Sequence, residues 1–196
     1  MKKVLLITAA LLAPVVLVIG CSATRAGYET ARYSVLSEAG EFEVRDYPPM
    51  MVATTPMQAA NPNEDDGSFM RLFRYISKDN ESETKIAMTT PVFLSDDEKG
   101  RRMSFVLPEK VAEEGAPVPN SERVSLATME GGRYAVFRYR GSWKPEAAAE
   151  ARKKLEEWAT AEGLTLTGEP EVAHYDPPFT PPFLRRNEVR VRVSAE

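Results

Sequence analysis

Apolar and polar residues alternate in short runs along most of this chain, and two stretches switch to helical spacing. In residues 41–47, Phe42 and Val44 alternate with Glu43 and Arg45, the period of a half-buried strand, and residues 33–36 face them across Gly40 as a hairpin partner. Pro48-Pro49 ends that strand, and residues 50–55 resume an extended apolar pattern. Ser68 then stands as an N-cap before Phe69, Leu72, Phe73 and Ile76, whose i, i+3, i+4, i+7 spacing predicts a helix of about two turns closed by Lys78. Residues 85–94 read as a strand with one interruption, because Pro91 lacks an amide donor and belongs at a sheet edge or beside a cavity. A further strand at 103–107 ends at Pro108, and residues 109–122, with Pro117, Pro119 and Asn120, form a long loop.

The same order then recurs. Residues 124–129 and 133–139 flank Gly131-Gly132 as a second hairpin. Pro145 opens a second helix that carries Ala148, Ala151, Leu155, Trp158 and Ala159 on one face and stops at Gly163. Strands follow at 164–167, 171–175 and 188–193. This self-similarity divides the chain into halves of about 31–108 and 122–194, each a hairpin, a helix and strands. Two such halves predict an α+β fold, a largely antiparallel curved sheet or distorted β-barrel with two helices packed against it.

Composition changes the picture first at the N-terminus. Met1-Lys2-Lys3 is basic and residues 4–19 are almost unbroken apolar, the pattern of an export signal. The run contains Pro14 and falls short of the roughly 20 residues that a membrane-spanning helix needs. It ends in Val18-Ile19-Gly20-Cys21, which resembles the bacterial lipobox and predicts a signal peptide at 1–20, lipidation of Cys21, a tether at 21–30 and a domain at 31–196. A lipid-anchored protein on the periplasmic side of the cell envelope is the expected product. Ser22 rather than Asp after the cysteine favours the outer membrane, by resemblance to Gram-negative sorting. Cleavage before Cys21 leaves 176 of the 196 residues, and loss of Lys2 and Lys3 moves the formal charge from −4 to −6. That acidic excess argues against nucleic acid as a partner. Cys21 is the sole cysteine, so the domain has none for a disulfide or a thiolate metal cluster.

Four prolines between Tyr175 and Glu188 fix an extended strap that presents Phe179 and Phe183, with Arg185, Arg186 and Glu188 expected as an ion-pair clamp at the entrance of the last strand. Gly67-Ser68-Phe69-Met70-Arg71-Leu72-Phe73-Arg74-Tyr75-Ile76, Lys85-Ile86-Ala87-Met88-Thr89-Thr90-Pro91-Val92, and Tyr175-Asp176-Pro177-Pro178-Phe179 leading into Arg185-Arg186-Asn187-Glu188-Val189 together resemble the SOUL haem-binding family. The resemblance runs in order from about Tyr28 to Val193. It implies duplicated β-α-β-β halves in a distorted barrel with two helices, and binding of haem or a related tetrapyrrole on an apolar surface.

The residues supply what such a ligand needs. Phe73, Met88, Phe93, Tyr139 and Trp143, with Met50 and Met51, are candidate apolar walls, and Arg71, Arg74 and Lys85 are candidate partners for propionates. His174, the sole histidine, is the candidate axial ligand, and strand alternation sends it and Tyr175 to opposite faces. Without a Cys-x-x-Cys-His motif, attachment would be non-covalent. Two alternatives remain open. One is an envelope protein-interaction module without a small ligand, using the strap and the acidic surface. The other is a hydrolase, since the related superfamily of small-molecule-binding barrels includes some. Glu43 or Glu130 could then act as a base, but neither has a visible catalytic partner, and Asp176 is poorly placed to orient His174.

Overall fold

The computed structural model describes residues 27–58, 67–97 and 100–194; the expected signal peptide at 1–20 and Cys21 lie outside them. In chain order the elements are β1 (Glu29–Thr30), β2 (Ser34–Ala39), β3 (Phe42–Tyr47), β4 (Met50–Pro56), α1 (Ser68–Ile76), β5 (Thr89–Thr90), β6 (Val92–Asp97), β7 (Gly100–Val106), α2 (Glu109–Glu114), β8 (Ser125–Met129), β9 (Gly132–Tyr139), α3 (Pro145–Ala161), β10 (Leu166–His174) and β11 (Asn187–Val193). Strand β1 falls within the 21–30 stretch.

The fold is α+β, as the alternation predicts. Nine strands form one antiparallel sheet in the order β2-β3-β9-β11-β10-β6-β7-β4-β8, and β1 and β5 make a separate parallel ribbon. Its two end strands, β2 and β8, do not pair, so the sheet is open and the expected barrel is not formed. The order reads symmetrically outward from the central β10–β6 pair: β11 and β9 on one side answer β7 and β4 on the other.

The two halves exchange their first strands. Strand β3 pairs with β9 of the second half, while β8 pairs with β4 of the first. The expected hairpin across Gly131-Gly132 is therefore absent, and that dipeptide carries the chain from the end strand β8 to β9, which lies between β3 and β11. Gly131 makes this crossing possible, because a Cβ there would stand 2.7 Å from the Tyr47 carbonyl oxygen and 2.8 Å from the Pro49 nitrogen. The β2–β3 hairpin forms as read.

Strands between these ends are buried on both faces. Val52, Phe93, Val106, Tyr134 and Val136 point to one core, while their chain neighbours Ala53, Phe105, Ala135 and Phe137 point to the opposite face under α1 or α3. Helix α3 buries Ala151, Leu155 and Ala159 on that face, and Trp158 stacks on Phe42 at 5.0 Å. Helix α1 buries Leu72, Tyr75 and Ile76 there. Its cap is Gly67, at φ 64°, and not Ser68, which lies within the helix. A third, short helix, α2, occupies the start of the expected 109–122 loop and buries none of its residues. Of the two places expected for the Pro91 strand, the edge and the side of a cavity, the second holds: β6 lies in the middle of the sheet with Val92 and Leu94 on the lining of a cavity, and Pro91 falls in the gap between β5 and β6, where no ladder bond is asked of it.

A charged cluster is built into the first core. Arg45 is fully buried and donates to Glu188 at 2.8 and 3.1 Å, to Glu43 at 2.6 Å and to Tyr47 Oη at 2.9 Å. Arg186 donates to the other side of the Glu188 carboxylate at 2.6 Å, and Tyr175 Oη donates to it at 3.0 Å. Burial alone would raise the Glu188 carboxyl, but the hydrogen bonds and charges of Arg45 and Arg186 outweigh it and hold the group below its ordinary value. The clamp expected from Arg186 and Glu188 is thus present. Arg185 does not join it and donates instead to the strap carbonyls of Thr180 and Pro178.

Candidate functional site

Pleating places one row of side chains on the helix-covered face across the centre of the sheet. Cross-strand partners share a face, so the register Tyr139, Asn187, His174, Val92, Phe105 puts all five on that side. The next row runs Val172, Leu94, Met103. The two helices stand apart over this central region, and a cleft of about 470 Å³ opens between them. Its floor is Val92, Leu94 and Met103; Phe69 and Phe73 of α1 form one wall, and Trp143 and Pro145 at the start of α3 form the other. Tyr28, Met57, Met88 and the strap residues Pro177 and Pro178 complete the rim, with Arg101 and His174 among the polar groups. This is a volume and a chemistry suited to a small molecule with a large apolar surface.

The walls are made of side chains that packing leaves over. Helix α1 turns Leu72, Tyr75 and Ile76 into the core, while Phe69 and Phe73 remain 39% and 42% exposed and stack on each other at 6.0 Å. A helix needing only a packing face has no use for this second aromatic edge.

One polar group is held in a defined state. Trp143 Nε1 donates to Asn187 Oδ1 at 3.1 Å, and Asn187 Nδ2 donates to the Gly141 carbonyl at 3.2 Å, which fixes the orientation of the buried carboxamide. His174 Nδ1 lies 2.9 Å from the same Oδ1, an atom that only accepts, so Nδ1 carries the proton. Burial lowers the affinity of His174 for a second proton, the Asn187 bond opposes this, and the charge of Arg185 adds to the lowering; the net shift is downward. The imidazole is therefore neutral at pH 7, and Nε2 holds the free lone pair. Trp143 lies against the ring at 4.8 Å, and Arg185 covers the other member of the pair, 4.8 Å from the indole centroid.

Of the residues singled out in the sequence, Phe73, Met88, Trp143 and His174 line the cleft. Tyr139 lines a smaller neighbouring cavity of about 190 Å³ that shares Leu94, Arg101, Trp143, Pro145 and His174 with it, and burial pushes its phenol up to about 12. Phe93 is directed to the opposite face, into the core, beneath the Arg190 guanidinium at 3.9 Å. Arg71 is turned aside to donate to Thr55 Oγ1 and the Pro56 carbonyl. Arg74 and Lys85 are exposed and away from the cleft lining; Met50 is buried and Met51 half-buried, and both border a separate cavity of about 100 Å³. The cleft's cation is Arg101 of β7. Among the described residues it has no ion-pair partner. Glu43 is paired with Arg45 and Arg138 away from the cleft lining, and Asp176, on the lining, accepts from the Arg186 amide. No cluster of three His, Cys, Asp or Glu suited to a metal ion exists among the described residues.

The family profile described as SOUL heme-binding protein matches residues 28–192. No curated protein sequence matches. The fold is similar to that of a hydrolase from Listeria innocua (14% identity, TM-score 0.53, covering 81% of this chain and 94% of that one) and to an uncharacterized conserved protein from the same organism (17%, 0.52, 79% and 92%). It is also similar to the EcmrR C-terminal domain (14%, 0.53, 84% and 99%). At these identities the likeness is one of fold alone.

Proposed function

The chain belongs to the SOUL haem-binding protein family, and from that premise we propose that the cleft between α1 and α3 takes haem or a related tetrapyrrole, non-covalently. The observation that carries this reading is the convergence of Phe69, Phe73, Met103 and Trp143 on one cleft that also holds a neutral histidine with Nε2 free. The apolar side chains suit the faces of a macrocycle. Arg101 suits its carboxylates, and His174 is the residue that would ligate iron, with Asn187 fixing its tautomer from behind. When bound, the haem would supply iron chemistry; the protein's part is to bind, orient and exclude water.

Within this reading the chain is a lipoprotein, made by cleavage before Cys21 and acylation of that residue, and held on the periplasmic side of an outer membrane. The lipobox spacing supports it. No helix among the described residues is long and apolar enough to cross a membrane.

Haemin titration tests the ligand. The protein should develop a saturable Soret band at one equivalent, and His174→Ala should shift the band position while Phe73→Ser weakens binding. A Soret response no stronger than that of an unrelated acidic protein would remove the tetrapyrrole and leave an interaction module.

A further inference from the structure

Residues 177–184, Pro-Pro-Phe-Thr-Pro-Pro-Phe-Leu, carry no charge and continue directly from the cleft rim at Pro177 and Pro178. Phe179 is 80% exposed and Phe183 63%, more than any other large apolar side chain among the described residues. Two phenyl rings in water are costly, and a loop of this length would ordinarily turn them inward. The strap holds them out. Its four prolines fix the backbone and bring no N–H group. The Thr180 and Leu184 amides are satisfied by the Pro177 and Pro181 carbonyls at 3.0 and 2.9 Å, and Arg185 donates to the carbonyls of Pro178 and Thr180. The Gly141 amide donates to the Pro182 carbonyl at 3.1 Å and ties the loop to the body. With four amide donors replaced by proline and those of Thr180 and Leu184 bonded, the strap carries fewer unsatisfied backbone donors toward an apolar phase, which lowers the cost of leaving water.

The other end of the domain reaches the same rim. Tyr28 lines the cleft, and Cys21 precedes it by seven positions, at most about 25 Å of extended chain. An acyl group on Cys21 would therefore keep the cleft rim and the strap within that distance of the lipid.

We propose that the strap is a membrane-docking surface: Phe179 and Phe183 insert at the lipid interface beside the acyl anchor, and the cleft opens toward the lipid–water boundary. The inference rests on the lipid-tether part of the reading above and is independent of which ligand the cleft takes. Acyl chains on Cys21 tether the domain without fixing its orientation, and two inserted aromatics add an orienting attachment.

The test uses the full chain, processed in cells given labelled palmitate and reconstituted into phosphatidylcholine vesicles with or without bromine on the acyl chains. Phe179→Trp and Phe183→Trp report the strap; Trp143 and Trp158 of the parent give the background, and Val118→Trp is an exposed control. Rings seated about 5–10 Å into the interface should lose roughly half of the added fluorescence to bromine, and the control none. Palmitate on Cys21 with unquenched strap tryptophans would overturn docking and leave the tether intact. Quenching without palmitate would retain docking and remove the tether. Unquenched rings shielded instead in a cross-linked dimer would overturn docking in favour of self-association.

Discussion

Asn187 presents its carboxamide oxygen 2.9 Å from His174 Nδ1, and that contact decides which imidazole nitrogen is left for a ligand. The oxygen is held in place from a third direction by the Trp143 indole N–H. Asn187→Ala should orphan both donors and lower stability by about 1–3 kcal/mol, read as a fall in the urea midpoint. It should also shift the Soret position of the haemin complex, because the tautomer is no longer fixed. A shift in stability with an unchanged spectrum would mean that His174 does not ligate iron.

The same site predicts a pH dependence. The folded-state value of His174 lies below the ordinary 6.5, so the neutral ring persists through neutrality, and iron ligation should be constant above pH 6.5. As pH falls through the lowered value the ring protonates and the axial signature should disappear. Asn187→Ala removes a bond that raises the value, so it should move this loss to lower pH.

Arg101 should recognise carboxylates. Because it is exposed, Arg101→Ala is expected to cost only about 1 kcal/mol, roughly fivefold in haemin affinity, and nothing for the dimethyl ester of the same macrocycle. Arg74→Ala should leave both affinities unchanged. Equal losses for acid and ester would assign Arg101 a packing role.

Glu188 links the core cluster to acid stability. Its folded-state carboxyl is depressed below the ordinary 4.5, so the stability it confers is fully present above that value and is lost as pH falls through the lower one. Glu188→Gln leaves Arg45 and Arg186 facing a neutral group and should cost about 3–5 kcal/mol at pH 7. The variant should also lose less stability than the parent on acidification. Parallel acid-unfolding curves for the two proteins would show that another carboxylate controls this limb.

Leu155 is fully buried between α3 and the sheet. Leu155→Ala should destabilise by about 2–5 kcal/mol, since it leaves a cavity where the helix meets Val189 and Val191. An unchanged urea midpoint would mean that α3 is not part of the cooperative unit.

Local pieces were legible in the chain alone. Alternation at Phe42 and Val44, spacing at Leu72 and Ile76 or at Ala151 and Leu155, and the stop at Gly163 are properties of residues a few positions apart, and they became strands and helices as read. The motifs around α1, Thr90-Pro91 and the strap also placed the chain in its family. Which elements meet was settled by the folded arrangement. Strand β8 pairs with β4 and not with its chain neighbour β9, and Arg45 meets Glu188 across 143 positions, because pairing is settled by long-range burial that no local period encodes. The same reason separates Phe73 from Phe93 and Arg101 from Arg71. Each pair has one composition and two fates: a side chain becomes cleft or core, cleft cation or backbone clasp, according to what the fold sets opposite it.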